Sequence, residues 1–300
     1  MNMVLSALQL GLLYSLLAMG VYISFRVLNT PDLTAEGSFT LGVAVSAMMT
    51  VAGHPFLGLL LAFLAGMGAG LITGVLQTKL GIHPILAGIL TMSGLYTVNL
   101  AVMGASANVT LLDKQTLFRI LIKQLPFTKD VVRVLVGVVL AAAVLAVLAW
   151  FFHTHLGLCI RATGNNEAMV RSSSINADRI RNLGLMISNG CIALCGGVIA
   201  QYQGYADISG GVGIMVVGLA SVIIGEVLLG RKGVTLGLIS AVAGSVIYRL
   251  IIALALSTNI FPTYFLKLIS ATIVAIALCI PTVKERLHVA HVRREGKRRA

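Results

Sequence analysis

Apolar residues fill this chain in long blocks, not in the narrow stripes of a soluble helix. Runs without Asp, Glu, Lys or Arg cover 37–78, 80–112, 134–160, 183–206, 208–225, 233–248 and 268–283. A helix crosses a bilayer with about 20 apolar residues. Nine such spans are expected: 4–25, 34–51, 56–78, 85–103, 131–152, 180–203, 210–229, 234–256 and 261–280. A β-barrel would show short alternating segments instead. The pattern predicts an all-α polytopic membrane protein with about nine transmembrane helices.

The polar interruptions differ in length. Residues 28–39 carry Pro31, Asp32 and Glu36, so Asp32 or Thr34 is expected to cap the second helix, with Glu36 in its first turn. Pro84 suits the first turn of the fourth helix. The third span repeats glycine at Gly66, Gly70 and Gly74, a spacing that lets helices approach closely. Segment 105–130 puts Leu117, Leu121 and Leu125 on one face and Arg119 and Lys123 on another, which predicts an interfacial helix. That segment is either a connection or an external lip that receives a ligand-delivering protein. Segment 153–182 is the longest interruption, with Arg161, Arg171, Arg179, Arg181, Glu167 and Asp178. It is too long and polar for a turn and reads as a docking surface for a soluble partner. Asn165 is expected to cap a short helix over 166–173, with Glu167 in its first turn, and Asn176 to cap the next span.

Composition sharpens this reading. The chain is 58% hydrophobic and 11% charged, against about 25% charged in soluble domains. Its mean hydropathy is +0.97. The net charge is +12, and a tail, 284–300, holds seven of the 22 basic residues. A basic tail beside a span marks the cytoplasmic side and touches anionic lipid, not nucleic acid. Residues 1–283 then form a single transmembrane domain. Counting back from the tail places Arg231 and Lys232, segment 153–182, Lys79 and Arg26 inside, and the amino terminus and segment 105–130 outside. Lys114, Arg119, Lys123 and Lys129 break that charge rule. Cys159, Cys191, Cys195 and Cys279 read as buried, reduced thiols, and the uncharged start of the chain does not read as a cleaved signal.

Candidate chemistry is sparse. No HExxH pattern and no GxxxxGK[ST] phosphate loop occurs. No catalytic residues, metal site or cofactor are expected, and ATP, if it drives the protein, is hydrolysed by another chain. His153 and His155 read as an interfacial pair. Glu226 and Arg249 are the clearest intramembrane charges; Glu226 either serves a path or pairs with Arg231 or Lys232. Ser38, Asn99, Ser188, Asn189, Gln201, Gln203 and Ser221 individually suit helix–helix hydrogen bonds and together suit the lining of a translocation path. Asp32–Leu33–Thr34 returns 175 positions later as Asp207–Ile208–Ser209, each followed by an apolar helix and a glycine-rich span. With Asp32 inside and Asp207 outside, two inverted halves are expected around a central path.

The stretch LGLCIRATGNNEAMVRSSSINADRIRNLGLMIS resembles the coupling region of permease subunits of ABC importers of the branched-chain amino acid and ribose type. Gly157, Arg161, Ala162, Gly164, Asn165, Glu167, Ala168 and Ile175 stand at the matching positions, with Met169 and Arg171 beside them. The Ser172–Ser174 run departs from the family's small-residue and glycine pattern. GYADISGGVGIMVVGLASVIIGEVLLG and LNTPDLTAEGSFTLG resemble the tryptophan/tyrosine-type permeases. The resemblance implies a type II ABC importer-like fold in a bacterial inner membrane, with the carboxy terminus in the cytoplasm. It implies a short coupling helix docked on ABC ATPase subunits, a second permease copy forming a homodimer, and an extracytoplasmic substrate-binding protein. The transported solute would be small, an amino acid and by subgroup an aromatic one. The alternative is a secondary, ion-coupled carrier. An inverted repeat suits it, but the scarcity of buried charges counts against it.

Overall fold

The structure is a computed structural model that describes residues 2–230 and 233–257, together with 268, 271, 272 and 275. Apart from those four positions, the ninth expected span (261–280) lies outside these residues, as do the basic tail (284–300), Arg231, Lys232 and Cys279. Helix α1 (Asn2–Tyr22) ends in a π-helical turn, Ile23–Val27. Helices α2 (Thr34–Val51), α3 (Pro55–Thr78) and α4 (Pro84–Val102) follow, then strand β1 (Asn108–Thr110) and helix α5 (Leu117–Gln124). Next come α6 (Lys129–His153), α7 (His155–Asn165), α8 (Glu167–Ser172) and α9 (Ala177–Gln203). Strand β2 (Tyr205–Asp207) and helices α10 (Ile214–Leu229) and α11 (Val234–Ser257) complete the described chain.

Among the described residues six helices are long and apolar enough to cross a membrane: α1 with its π turn, α3, α4, α6, α9 and α11. Two of the expected spans, α2 and α10, fall short of that measure. Helix α2 has 18 residues, but Glu36 and its serines and threonines dilute it; α10 is apolar but has only 16 residues. The helical expectation holds, with one addition. β1 and β2 pair antiparallel, Asn108↔Asp207, Val109↔Ala206 and Thr110↔Tyr205. Two polar loops thereby satisfy each other's backbone groups where no helix does so. Local signals hold elsewhere. Pro55 and Pro84 open α3 and α4. Thr116 caps α5 through the N–H of Arg119, and Leu117 and Phe118 are buried.

Helix α9 is the most buried span, and α4 and α6 are the least. Large apolar side chains such as Leu86, Leu90, Val139 and Trp150 stand exposed on α4 and α6, the surface that a bilayer or a partner subunit would cover. The glycine spacing on α3 faces α9. A Cβ added to Gly66 would strike the Asn189 backbone, and one added to Gly70 would lie 2.9 Å from Met186 Cα.

The 175-residue spacing extends beyond the two Asp triplets. α9 starts 175 positions after α1. α9 packs on α2 and α3, while α1 packs on α10 and α11. A Cβ on Gly11 would lie 2.7 Å from Val246 Cα and 3.4 Å from the carbonyl oxygen of Ser245. That crossing is the Gly70–Met186 crossing seen from the other side, since Gly11 is 175 before Met186 and Gly70 is 175 before Ser245. α1 and α9 run antiparallel: Cys195 contacts the Leu13 carbonyl at 3.3 Å and Ser188 donates to the Gly20 carbonyl at 2.8 Å. The two helix triads therefore stand in opposite senses. The turns match too: Asp32 accepts the N–H of Thr34 and Asp207 that of Ser209, both at 2.9 Å.

Candidate functional site

Segment 153–182 folds as two helices set at the end of the bundle. Thr154 accepts the N–H of Gly157 and starts α7, a helix that the sequence reading, expecting only 166–173, left out. Its polar residues and two glycines hid the helical period. α7 packs on α6, α9 and the π turn. Gly164 lies against the Val27 carbonyl and Gly157 against the backbone of Phe151 and Phe152, so close that a side chain at either would collide. These glycines seat the segment on the bundle. Arg161 is half-buried and lines a cavity of about 430 Å³ with Tyr22, Arg26 and Glu226. Ala162 is half-buried and Asn165 exposed.

The cap of the next helix is corrected by one residue. Asn166, not Asn165, caps α8, accepting the N–H of Met169 at 3.1 Å. A cap needs extended backbone, which Asn166 has (φ −155°), whereas Asn165 still belongs to α7. Asn176 caps α9 through the N–H of Arg179, as expected. Glu167 accepts from Arg171 Nε at 3.1 Å and Nη2 at 2.8 Å, and also from Arg181. Arg171 reaches on to Asp178 at 2.6 Å. The Arg171 hydrogen bond, with the charge of Arg181, holds the Glu167 carboxyl below its ordinary value. This network ties α8 to the start of α9. Val170 is buried beneath it and Ile175 is half-buried, while Ala168 and Met169 face out, Met169 at 66% exposure. The chain then turns through Ser174 at φ +60°, the region where glycine is favoured.

The polar candidates within the bundle are placed differently. Asn189 accepts from Ser38 at 2.7 Å and donates to Asp32 at 2.7 Å and to the Leu185 carbonyl at 3.1 Å. Gln201 donates to Ser46 at 3.0 Å and the Pro55 carbonyl at 2.9 Å, and accepts the N–H of Leu117 at 2.9 Å. Ser188 bonds across to α1 and Ser221 to the Val217 carbonyl of its own helix. All five are buried and partnered, and except for Ser221 they join one element to another. Gln203 is exposed. Asn99 stands apart: it is 1% exposed and donates to the Gly37 carbonyl at 3.3 Å, but its Oδ1 has no partner.

Asp32 was read as a helix cap and as the start of a repeat, not as a buried carboxylate. It is 2% exposed and sits beside the middle of α9. Residues 28–33 thus bring non-helical chain to the depth of a span's centre, as in discontinuous transmembrane helices. Glu226 pairs with Arg26 at 2.6 Å, a partner that the local reading around 231–232 did not offer. The Arg249 guanidinium lies 3.8 Å from the ring centre of Tyr14. His153 contacts the Ala149 carbonyl at 2.6 Å and His155 lies 3.8 Å from Cys159 Sγ. Among the described residues no three His, Cys, Asp or Glu side chains gather as metal ligands would.

Comparison with known proteins adds a family. Residues 3–278 match the family described as "Branched-chain amino acid transport system / permease component". The chain is similar to the tyrosine transport system permease protein of Clostridioides difficile, 36% identical over 275 residues, covering 91% of this chain and 90% of that protein. It is more distantly similar to the autoinducer 2 import system permease protein LsrC of Yersinia enterocolitica, 28% identical over 79% of this chain and 64% of that protein. The ribose import permease protein RbsC of Escherichia coli is 25% identical over 84% of this chain and 74% of that protein. No solved structure matches.

Proposed function

This chain belongs to the permease-component family of branched-chain amino acid transport systems, and on that premise we propose that it is the channel subunit of an ATP-driven importer of amino acids, with α7–α8 as its coupling handle. The observation that carries the reading is the form of segment 153–182. It is rigidly seated by Gly157 and Gly164 and internally tied through Glu167, yet it presents Ala168 and Met169 outward. A short helix with small and adaptable side chains suits a groove on a soluble domain. ABC ATPase subunits in the cytoplasm would hold it there, and closure of their dimer would move α7, α8 and the joined end of α9.

In this reading the two helix triads are inverted repeats across the bacterial inner membrane, as in type II importers. The handle and carboxy terminus face the cytoplasm, and α5 with the β1–β2 sheet faces a binding protein outside. A second copy completes the path, covering part of the exposed α4 and α6 faces. Similarity to the tyrosine permease supports an aromatic amino acid as the solute.

The test is reconstitution in liposomes with the cognate ATPase and binding protein. ATP-dependent L-tyrosine uptake is expected, and Met169→Asp is expected to abolish it while leaving thermal unfolding unchanged. Uptake that needs no ATPase, or that follows an ion gradient, overturns the reading in favour of a secondary carrier.

A further inference from the structure

We propose that the cavity between α2, α4 and the loop 208–212 is a solute subsite for an α-amino acid with an aromatic or large apolar side chain. This deepens the reading of the chain as an amino-acid permease and rests on it for the claim that the bound solute is transported. The cavity holds about 380 Å³, within the range of about 300–1,000 Å³ typical of small-molecule sites. Glu36 and Thr40 line it from α2, Met92, Ser93, Tyr96 and Asn99 from α4, and Ile208, Gly211 and Val212 from the loop.

Three observations converge there. The first is the unmatched acceptor. Asn99 is buried and already uses its amide to reach the Gly37 carbonyl, which leaves Oδ1 without a donor. A buried carbonyl-type oxygen without a partner costs about 1–3 kcal/mol, a cost that a ligand N–H would remove once the amide turns toward the cavity. The second is a carboxylate in the lining. Glu36 lies in the first turn of α2 and accepts the N–H of Gly213, immediately before α10, at 3.0 Å. Gly211 packs against the Glu36 carbonyl and Thr40 so closely that no side chain fits. The lining thus holds a carboxylate from α2. It suits the ammonium of an α-amino acid. The third is the wall. Met92, Tyr96, Ile208 and Val212 give an apolar and aromatic surface beside the charged end. A neutral sugar could donate hydroxyls to Glu36 but brings no positive charge to pair with it.

The test is photolabelling of the full chain in detergent with 4-azido-L-phenylalanine, which needs no ATPase. Label is expected within 84–102, displaced by excess L-tyrosine and not by D-ribose. Glu36→Gln keeps an acceptor for Gly213 but removes the charge, and is expected to weaken labelling about tenfold, the worth of one charge-assisted hydrogen bond. Tyr96→Ala, at an exposed ring, is expected to weaken it without altering thermal unfolding. Label elsewhere, displacement by ribose, or labelling indifferent to both substitutions overturns the site. Intact labelling without ATP-driven uptake leaves the site standing and overturns the importer reading instead.

Discussion

Asp32 and Glu167 are both carboxylates held by side-chain donors, at opposite ends of the burial scale. Asp32 is 2% exposed, accepts from the Asn189 amide and the Thr34 backbone, and lies deep between α2 and α9. Glu167 keeps about a third of its side chain exposed (32%) and accepts from two guanidiniums. The formal charge pairing is stronger at Glu167, yet the energetic stakes are greater at Asp32. Water screens and replaces the partners of an exposed carboxylate, whereas a buried one has no substitute when a donor is lost. The difference fits the two places. The seam must keep α2 on α9 in every state. The handle must be firm, but it has to exchange partners as it moves.

The largest expected effect comes from breaking the seam. Asn189→Leu removes donors to Asp32 and an acceptor for Ser38, and should cost about 3 kcal/mol or more. Thermal unfolding in detergent measures it. Adding Asp32→Leu to that variant should restore part of the loss, because the stranded charge is gone; a further additive loss would show that the two residues act independently. Gly70→Leu tests the packing that brings the seam together. Its side chain meets the Leu185 carbonyl and Met186 Cα, so a loss of about 1–3 kcal/mol is expected by the same measurement.

At the handle the expected losses are smaller. Glu167→Gln should lower stability by no more than about 1 kcal/mol, while protection of the 167–172 amides from hydrogen exchange falls. The pH dependence has a definite sign. The folded Glu167 carboxyl titrates below its ordinary value of 4.5, so its contribution is complete above that value. It is lost as pH falls through the lower, folded value. Protection of the 167–172 amides, measured relative to their intrinsic exchange at each pH, should accordingly be flat near neutrality and fall only in acid. The smallest effect is expected at Ser174. Ser174→Gly relieves a left-handed residue at φ +60° and should stabilise the handle by a few tenths of a kcal/mol, up to about 1, seen as slower exchange in α8.

Much of this molecule was legible along the chain. Long apolar runs marked every described span, because a helix in lipid must carry its apolar length within one segment. Pro55, Pro84, Thr116 and Asn176 set helix starts through contacts within four residues, and the polar anomaly at 153–182 stood out against its surroundings. The 175-residue echo of Asp32 in Asp207 was visible as well. What sequence could not supply were the contacts that join distant positions. Asp32 with Asn189, Arg26 with Glu226, and Glu36 with Gly213 are pairings that no local period encodes. Nor does composition distinguish Ser188, bonded to α1, from Asn99, whose Oδ1 waits beside a cavity. The chain by itself determined which segments are helices and where the polar handle lies, since those follow from local hydrogen bonding and apolar length. Only the tertiary structure decided which polar groups are spent as fastenings and which are left without a partner, because that depends on what the fold brings within about three ångströms.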